Sequence, residues 1–171
     1  MNTFLRPVLG FSGYSGSGKT TIIEKIIKRL KNLGYRVAVI KHDVHDFEMD
    51  KEGKDTFRFS EAGADEVFIS SGEKSARISS FPRSMEEMIS ECDHADIVLI
   101  EGYKYADIKK IAVTSEKSGY AFPCSGDSLE AVVTDDISQY QGRVSIPVFY
   151  RNDVEGITGF IRERYLDNGK D

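Results

Sequence analysis

Short apolar runs alternate along the chain with longer segments in which apolar residues recur every three or four positions. The runs have the length of β-strands, and they lie within RPVLGFSG, YRVAVIKH, EVFISS, ARISSF, DIVLIEG, KIAVTS, LEAVVTD and SIPVFY. The longer segments are typical of amphipathic helices, and they cover residues 19–33, 55–64, 84–93 and 153–167. Strands this apolar need cover on both faces. The pattern therefore predicts an α/β fold with a mostly parallel, doubly wound sheet and helices on both faces.

The first predicted helix has the clearest apolar stripe. Ile22, Ile26, Leu30 and Leu33 recur at helical spacing, and Gly34 stands where a left-handed residue commonly ends a helix. We expect this stripe to pack against the sheet.

Two later helices begin with sequences that match a capping box, in which a small polar side chain and an acid three residues on satisfy free N–H groups. These pairs are Ser84 with Glu87 and Asn152 with Glu155. We expect all four residues to be structural.

A chain of 171 residues is long enough to bury one sizeable hydrophobic core. Apolar residues make up 40% of it and charged residues 30%, which is ordinary for a globular protein. Because no linker-like stretch interrupts the pattern, we predict a single domain over residues 1–171.

The formal net charge of −5 argues against non-specific binding to nucleic acid or to acidic membranes, since both need a positive face. The two cysteines, Cys92 and Cys124, form no CxxC pair, so neither a disulfide framework nor a cysteine zinc site is expected. The first residues lack the pattern of a signal peptide, and the apolar runs are too short to span a membrane. These features favour a cytoplasmic protein.

Residues 13–20 match the pattern G-x-x-x-x-G-K-[ST], between a predicted strand and a predicted helix. Bare main-chain N–H groups in such a loop surround phosphate oxygens at the positive end of the helix. Lys19 is expected to bind the β and γ phosphates, and the Thr20 hydroxyl to bind Mg²⁺. We predict a three-layer P-loop NTPase fold with a nucleotide site formed by Gly13, Tyr14, Ser15, Gly16, Ser17, Gly18, Lys19 and Thr20.

Glu101 ends the apolar stretch ADIVLIEG. A buried strand that ends in an acid is typical of the Walker B element, whose carboxylate lies near the magnesium ion. Gly102 allows the chain to turn next to it. Because the usual acid is Asp, the longer Glu101 is expected to act directly or through water; an ordinary carboxylate at a strand end is the alternative.

The stretch KHDVHDFEMDKEGKDTFR follows the second predicted strand and is rich in titratable groups. If it crosses the mouth of the phosphate site, Asp50 reaches Mg²⁺. Lys41, His42, Lys54 and Arg58 then meet an anionic substrate.

Two other interpretations of this stretch stay open. It is a polar loop that caps the next helix through Asp55, or it holds a transition metal, although the spacing matches no zinc signature. The metal ligands in that case would be His42, Asp43, His45, Asp46 and Asp50.

The stretch AVVTDD places Asp135 and Asp136 directly after a predicted strand. A carboxylate there can accept paired hydrogen bonds from guanine N1–H and the exocyclic amine, which adenine cannot offer. The alternative is that these acids cap the next helix, since Asp after a strand commonly does so.

Taken together and in this order, GYSGSGKTT, KHDVHDFEMDKEGKDTFR, AGAD and DIVLIEGYK closely resemble the MobB family of molybdopterin-guanine dinucleotide biosynthesis adapter proteins. The resemblance runs over most of residues 8–114. It implies a homodimer that binds GTP with Mg²⁺ and assists the nucleotidyltransferase MobA in attaching GMP to molybdenum cofactor. It also implies that residues 13–20 hold phosphates, that Thr21 helps with the α-phosphate, and that Glu101 is the family's acid.

The candidate catalytic residues are Lys19, Glu101 and Arg58. Many relatives in the wider class carry a second lysine directly after the first glycine of the loop, but Tyr14 stands there in this chain. Without a glutamine or arginine that contacts the transferred phosphate, hydrolysis in this fold is slow. Arg58 is the one candidate for such a group, so we expect weak GTPase activity at most.

Two alternatives belong to other functional classes. A small-molecule kinase shares the P-loop and the short chain, although no arginine-rich lid sequence follows residue 84. A metal-insertion GTPase would use His42 and His45.

Overall fold

The computed structural model describes residues 4–42, 50–122, 124 and 126–167. The described residues fall into two compact units, the first from Met1–His42 with Ile89–Asp171 and the second from Asp43–Met88. Whether both belong to one domain, as the sequence predicts, stays a prediction. Among the helices described, none is long and apolar enough to cross a membrane.

All the predicted strands and helices are present, with ends within a few residues of those expected. In chain order they are β1 (Val8–Ser12), α1 (Lys19–Asn32), β2 (Val37–Lys41), α2 (Asp55–Glu61), β3 (Glu66–Ser70), β4 (Ser75–Ser79), α3 (Met85–Ser90), β5 (Ile97–Glu101), β6 (Lys110–Val113), β7 (Leu129–Thr134), β8 (Val148–Tyr150) and α4 (Val154–Ile161). Short 3₁₀ turns lie at Glu116–Ser118, Gly126–Ser128 and Ile137–Gln139, and a π-helical turn at Arg162–Leu166 follows α4.

The first unit is built on a six-stranded sheet in the order β2-β5-β1-β6-β7-β8. Every neighbouring pair in it is parallel, which confirms the predicted parallel sheet. In the second unit β3 and β4 form an antiparallel pair of their own. Because parallel strands all end at one edge, the loops that leave the carboxyl ends of β1, β5, β6, β7 and β8 share that edge, where ligands bind in folds of this kind.

One face of the sheet is covered by α1 and α4. Phe11 from β1, Leu30 from α1 and Ile157 from α4 are fully buried in one apolar cluster. The predicted stripe of α1 is confirmed as far as Leu30. Leu33 is 37% exposed because the helix ends one residue before it.

The opposite face of β6 and β7 is covered differently. Ala112 and Val132 pack there with Tyr140. The Tyr140 hydroxyl donates to the Tyr120 carbonyl at 2.7 Å and lies 2.8 Å from the Thr114 hydroxyl. The cluster also includes Leu129, and several partly buried apolar residues pack against it.

The two predicted capping boxes had different outcomes. Ser84 and Glu87 exchange two hydrogen bonds as predicted, the Ser84 amide to Glu87 at 2.8 Å and the Glu87 amide to the Ser84 hydroxyl at 3.1 Å. The second prediction was wrong by one residue, because Asp153 and not Asn152 caps α4, accepting from the Gly156 amide at 2.9 Å.

Candidate functional site

The loop between β1 and α1 follows a strand whose five residues are all buried. Gly13 lies against the last residue of β6. A Cβ atom at Gly13 would be 2.3 Å from the Val113 carbonyl oxygen and 2.6 Å from the Ser17 hydroxyl. Gly18 has φ of 87°, in the left-handed region that favours glycine. Both glycines are therefore required by the geometry of the loop.

The start of α1 has the features of an anion site. No side chain caps the helix, and the first N–H groups of a helix have no partner within it. The Ser17 hydroxyl is buried and has no hydrogen-bond partner among the residues that the structure describes. Polar groups left free in this way at the positive end of a helix favour a bound anion.

Lys19 folds back over the loop. Its ammonium group donates to the Gly13 carbonyl at 3.0 Å and to the Tyr14 carbonyl at 2.9 Å. Burial lowers the pKa of Lys19 most, Glu101 raises it, and the positive charges of Lys104 and Lys41 lower it further. A phosphate group beside this ammonium would favour its charged form.

Thr20 and Glu101 meet at the foot of the loop. The Thr20 hydroxyl donates to the two carboxylate oxygens of Glu101, at 2.9 and 3.1 Å. A hydroxyl and a carboxylate are the hard oxygen ligands that Mg²⁺ prefers, so this pair fits the ion. The neighbouring Thr21 is exposed in the first turn of α1.

The chain on either side of Glu101 is held closely. The His42 amide donates to the Glu101 carbonyl at 2.9 Å, and the His42 ring stacks on Tyr103 with 4.4 Å between centroids. Gly102 has φ of 98°, and Tyr103 adopts φ of 45°, which is uncommon for a residue with a side chain. Lys41 is exposed and lies in register with Glu101 on the neighbouring strand.

Asp135 and Asp136 leave the carboxyl end of β7 as predicted, but both carboxylates have partners. Asp136 caps the following 3₁₀ turn, accepting from the Ser138 backbone N–H at 3.0 Å and from the Gln139 side-chain amide at 3.0 Å. Asp135 accepts from the Glu116 amide at 3.2 Å. The capping alternative therefore describes Asp136, and the predicted contact of either carboxylate with a base stays a prediction.

Sequence reasoning missed Arg151, the first residue after β8. Its guanidinium donates to the Ser17 carbonyl at 3.1 Å and to the Thr114 carbonyl at 2.9 Å, and lies 3.9 Å from Asp135. It thus ties the P-loop to the loops after β6 and β7. Its place directly after an apolar strand was a signal that the sequence contained.

The remaining predicted residues lie in the second unit. Asp50 accepts from the Lys51 amide at 2.9 Å and the Thr56 hydroxyl at 3.0 Å, so it supports the start of α2. Lys54 directly precedes that helix, and Arg58 within it lies 3.6 Å from Asp55. Their predicted contacts with Mg²⁺ and anionic substrate stay predictions.

The predicted metal ligands Asp43, His45 and Asp46 lie outside the described residues. Within the described part of the chain, no group of three or more His, Cys, Asp or Glu side chains is arranged to hold a metal ion.

Comparison with known proteins identifies one family that this chain matches. The family model for molybdopterin guanine dinucleotide synthesis protein B matches residues 8–135. A molybdopterin-guanine dinucleotide biosynthesis adapter protein of Haemophilus influenzae is 39% identical over 133 residues, 75% of either chain. The protein of that name from Escherichia coli is 31% identical over 164 residues, 92% of either chain.

The crystal structure of Bacillus subtilis MobB superposes on this chain with a TM-score of 0.77. The superposition covers 93% of this chain and 98% of that protein at 23% sequence identity. It supports the fold.

Proposed function

Since the chain belongs to the molybdopterin guanine dinucleotide synthesis protein B family, we propose that it is an adapter in molybdopterin-guanine dinucleotide biosynthesis. In this proposal it binds GTP with Mg²⁺ and assists the attachment of GMP to molybdopterin. The family membership supports the pathway, and the geometry of the P-loop supports the ligand.

The observation that carries the proposal is the loop around Lys19. Main-chain N–H groups at the start of α1 are left without a side-chain cap, and Lys19 is the first residue of that helix. Burial lowers the pKa of Lys19, and the negative charge of a polyphosphate beside it would favour the charged ammonium. Lys19 binds the β and γ phosphates, and the N–H groups orient them.

Thr20 and Glu101 would hold the magnesium ion. The ion supplies positive charge to the β and γ phosphates when it is bound. The Thr20 hydroxyl donates to Glu101 at 2.9 Å, so the carboxylate already orients the hydroxyl that must bind the ion.

Specificity for guanine is assigned to Asp135. Its carboxylate follows β7 at the ligand-binding edge of the sheet, and the backbone amide of Glu116 holds it at 3.2 Å. Paired hydrogen bonds to a carboxylate are available from guanine and not from adenine.

Hydrolysis is proposed to be slow. Arg151 has a guanidinium near the P-loop, but that group is bonded to the Ser17 and Thr114 carbonyls, which gives it a structural role. Arg58 stays the candidate for an arginine that contacts the transferred phosphate. An adapter that presents nucleotide needs no rapid turnover.

The proposed partners are a MobA-type nucleotidyltransferase, molybdopterin or molybdenum cofactor, and a second copy of the chain. These partners are inferred from the family to which the chain belongs.

Calorimetric titration with GTP and ATP, each with and without Mg²⁺, tests the proposal. The wild type is expected to prefer GTP, and Lys19→Ala is expected to lose at least about 1.5–3 kcal/mol of binding free energy, the scale of hydrogen bonds to a charged group. Lys25→Ala removes a lysine from the same helix and is the control. Its side chain donates to the Asn152 side-chain oxygen at 3.5 Å, and Lys25 is not one of the loop residues 13–20.

Failure to bind any purine triphosphate at millimolar concentration with Mg²⁺ would overturn the nucleotide part of the proposal. A preference for ATP would overturn the role of Asp135. The adapter part needs a separate measurement, and the absence of a complex with a purified MobA-type transferase would overturn it.

A further inference from the structure

A second lysine, Lys104, reaches the P-loop from the segment that leaves β5. Its ammonium nitrogen lies 5.5 Å from the centroid of the Tyr14 ring. Tyr14 is the second residue of the loop, and its carbonyl is one of the two that accept from the Lys19 ammonium. The Lys104 side chain therefore lies against the Tyr14 ring of the loop, and its charge acts on the Lys19 ammonium.

The backbone that carries Lys104 is fixed on both sides. Before it, Gly102 and Tyr103 have positive φ angles of 98° and 45°, which turn the chain away from the direction of β5. After it, the buried ammonium of Lys110 donates to the Ile108 carbonyl at 2.9 Å and to the Ala106 carbonyl. These contacts hold the backbone on both sides of Lys104, so the position of Lys104 next to the loop is set by the fold.

The charges near the loop do not balance. The ionised groups that act most on the pKa of Lys19 are one carboxylate, Glu101, and two ammonium groups, Lys104 and Lys41. Within the part of the chain that the structure describes, no carboxylate pairs with Lys104. Three ammonium groups close to one carboxylate repel one another, and an anion of more than one charge would relieve that repulsion.

We propose that Lys104 is a specificity-determining residue of the nucleotide site, which binds the terminal phosphate of a nucleoside triphosphate while its stem packs on the Tyr14 ring. This inference rests on the proposed nucleotide-binding function. It assigns a role to a residue outside the P-loop motif, and it predicts how the protein distinguishes a triphosphate from a diphosphate.

The terminal phosphate is favoured over the base for a geometric reason. Lys104 acts at the Lys19 ammonium, which serves the β and γ phosphates, whereas Asp135, the group assigned to the base, follows β7. In the sheet order β1 lies next to β5, and β6 lies between β1 and β7. Lys104 and Asp135 thus approach the loop from opposite sides.

Calorimetric titration of Lys104→Met with GTP and with GDP, both with Mg²⁺, tests this assignment. The dissociation constant for GTP is expected to rise roughly 10-fold or more, as for loss of a charge-assisted hydrogen bond, and that for GDP to change less than about 3-fold. Lys104→Arg keeps the charge and is expected to bind GTP within about 3-fold of the wild type.

Lys109→Met is the matched control. It removes the same charge from the same segment, but Lys109 lies 3.8 Å from Glu130 and donates to the Asp127 carbonyl, at the opposite edge of the sheet. Its affinities for GTP and GDP should equal those of the wild type. The thermal unfolding midpoint of each variant is measured first, so that a loss of affinity is not confused with a loss of fold.

The possible outcomes separate this inference from the function on which it rests. If the wild type binds neither nucleotide, the nucleotide-binding proposal fails and the inference fails with it. If the wild type binds both, then an unchanged Lys104→Met, an equal loss for GTP and GDP, or a Lys104→Arg variant as weak as Lys104→Met would overturn the inference alone.

Discussion

Gly13 shows how one residue can be required by its neighbours alone. Its backbone φ is not in the left-handed region, so an L-residue could adopt its conformation. What excludes a side chain is the Val113 carbonyl oxygen, 2.3 Å from where Cβ would be. The P-loop thus lies against β6 as closely as main chain can, and the positions of its N–H groups depend on that contact.

Gly13→Ala is therefore expected to destabilise the fold and weaken nucleotide binding together. Overpacking a rigid site costs about 1–3 kcal/mol, because the carbonyl it meets belongs to a central strand and cannot move freely. Urea unfolding measures the first effect and calorimetry the second. Gly72→Ala is the control, since a Cβ there meets no atom within 4 Å; equal stability of the two variants would contradict the prediction.

At the scale of elements, α4 is held by contacts at its first turn. The Asp153 carboxylate caps it, and Glu155 accepts from Arg29 of α1 at 2.9 Å. Farther along, Ile157 and Ile161 are fully buried against the sheet. The helix also contains two glycines, Gly156 and Gly159, which lower its intrinsic stability.

Those two glycines are expected to respond differently to alanine. Gly159→Ala meets no atom within 4 Å and should raise the free energy of unfolding by about 0.5–1 kcal/mol, since Gly costs that much in a helix interior. Gly156→Ala places Cβ 2.3 Å from Asp153 Oδ2, so the gain is offset by loss of the cap, which is worth about 1 kcal/mol. Chemical unfolding of both variants checks this; a larger gain for Gly156→Ala would refute it.

At the scale of the whole molecule, Glu130 connects the sheet to the π-helical turn at Arg162–Leu166. Its side chain, on β7, is only 8% exposed, and it accepts from Arg164 at 3.0 Å and from Tyr165 at 2.6 Å. Burial is the largest single effect on the pKa of Glu130 and raises it. The hydrogen bonds from Arg164 and Tyr165, together with the positive charges of Arg164 and Lys109, lower it more, so the pKa lies below its usual 4.5.

A carboxyl group with a lowered pKa stabilises the fold when it is ionised in both states. The contribution of Glu130 is therefore complete above about pH 4.5 and is lost as the pH falls through its lower value in the folded state. Glu130→Gln should cost about 1–3 kcal/mol at pH 7, the worth of hydrogen bonds to a charged group. The difference from wild type should shrink on acidification below pH 4.5.

Urea unfolding of both proteins at neutral and at acidic pH measures this difference. Glu163→Gln, an exposed position two residues before Tyr165, is the control and should unfold like the wild type at both pH values. A Glu130→Gln penalty that is the same at both pH values would mean that charge has no part in it.

Much of the architecture and the heart of the site could be predicted from local patterns. Each strand and helix is encoded by the periodicity of its own residues, and the P-loop is a contiguous motif, so Lys19 and Thr20 needed no distant information. The Ser84 capping box was predicted for the same reason. The prediction that Asn152 caps α4 was wrong because two neighbouring residues can both cap a helix. In the structure the backbone at Asp153 lets its side chain accept from the Gly156 amide.

What the linear chain left open was which distant residues meet. Arg151 contacts Ser17 across 134 positions of sequence, and Lys104 reaches Tyr14 from the segment after β5. Both contacts exist because parallel strands far apart in sequence end at one edge of the sheet, an arrangement set by strand order. Periodicity specifies which face of an element is buried, but strand order and packing decide which loops become neighbours. For that reason the P-loop motif could be predicted from the sequence, and the residues that surround it could not.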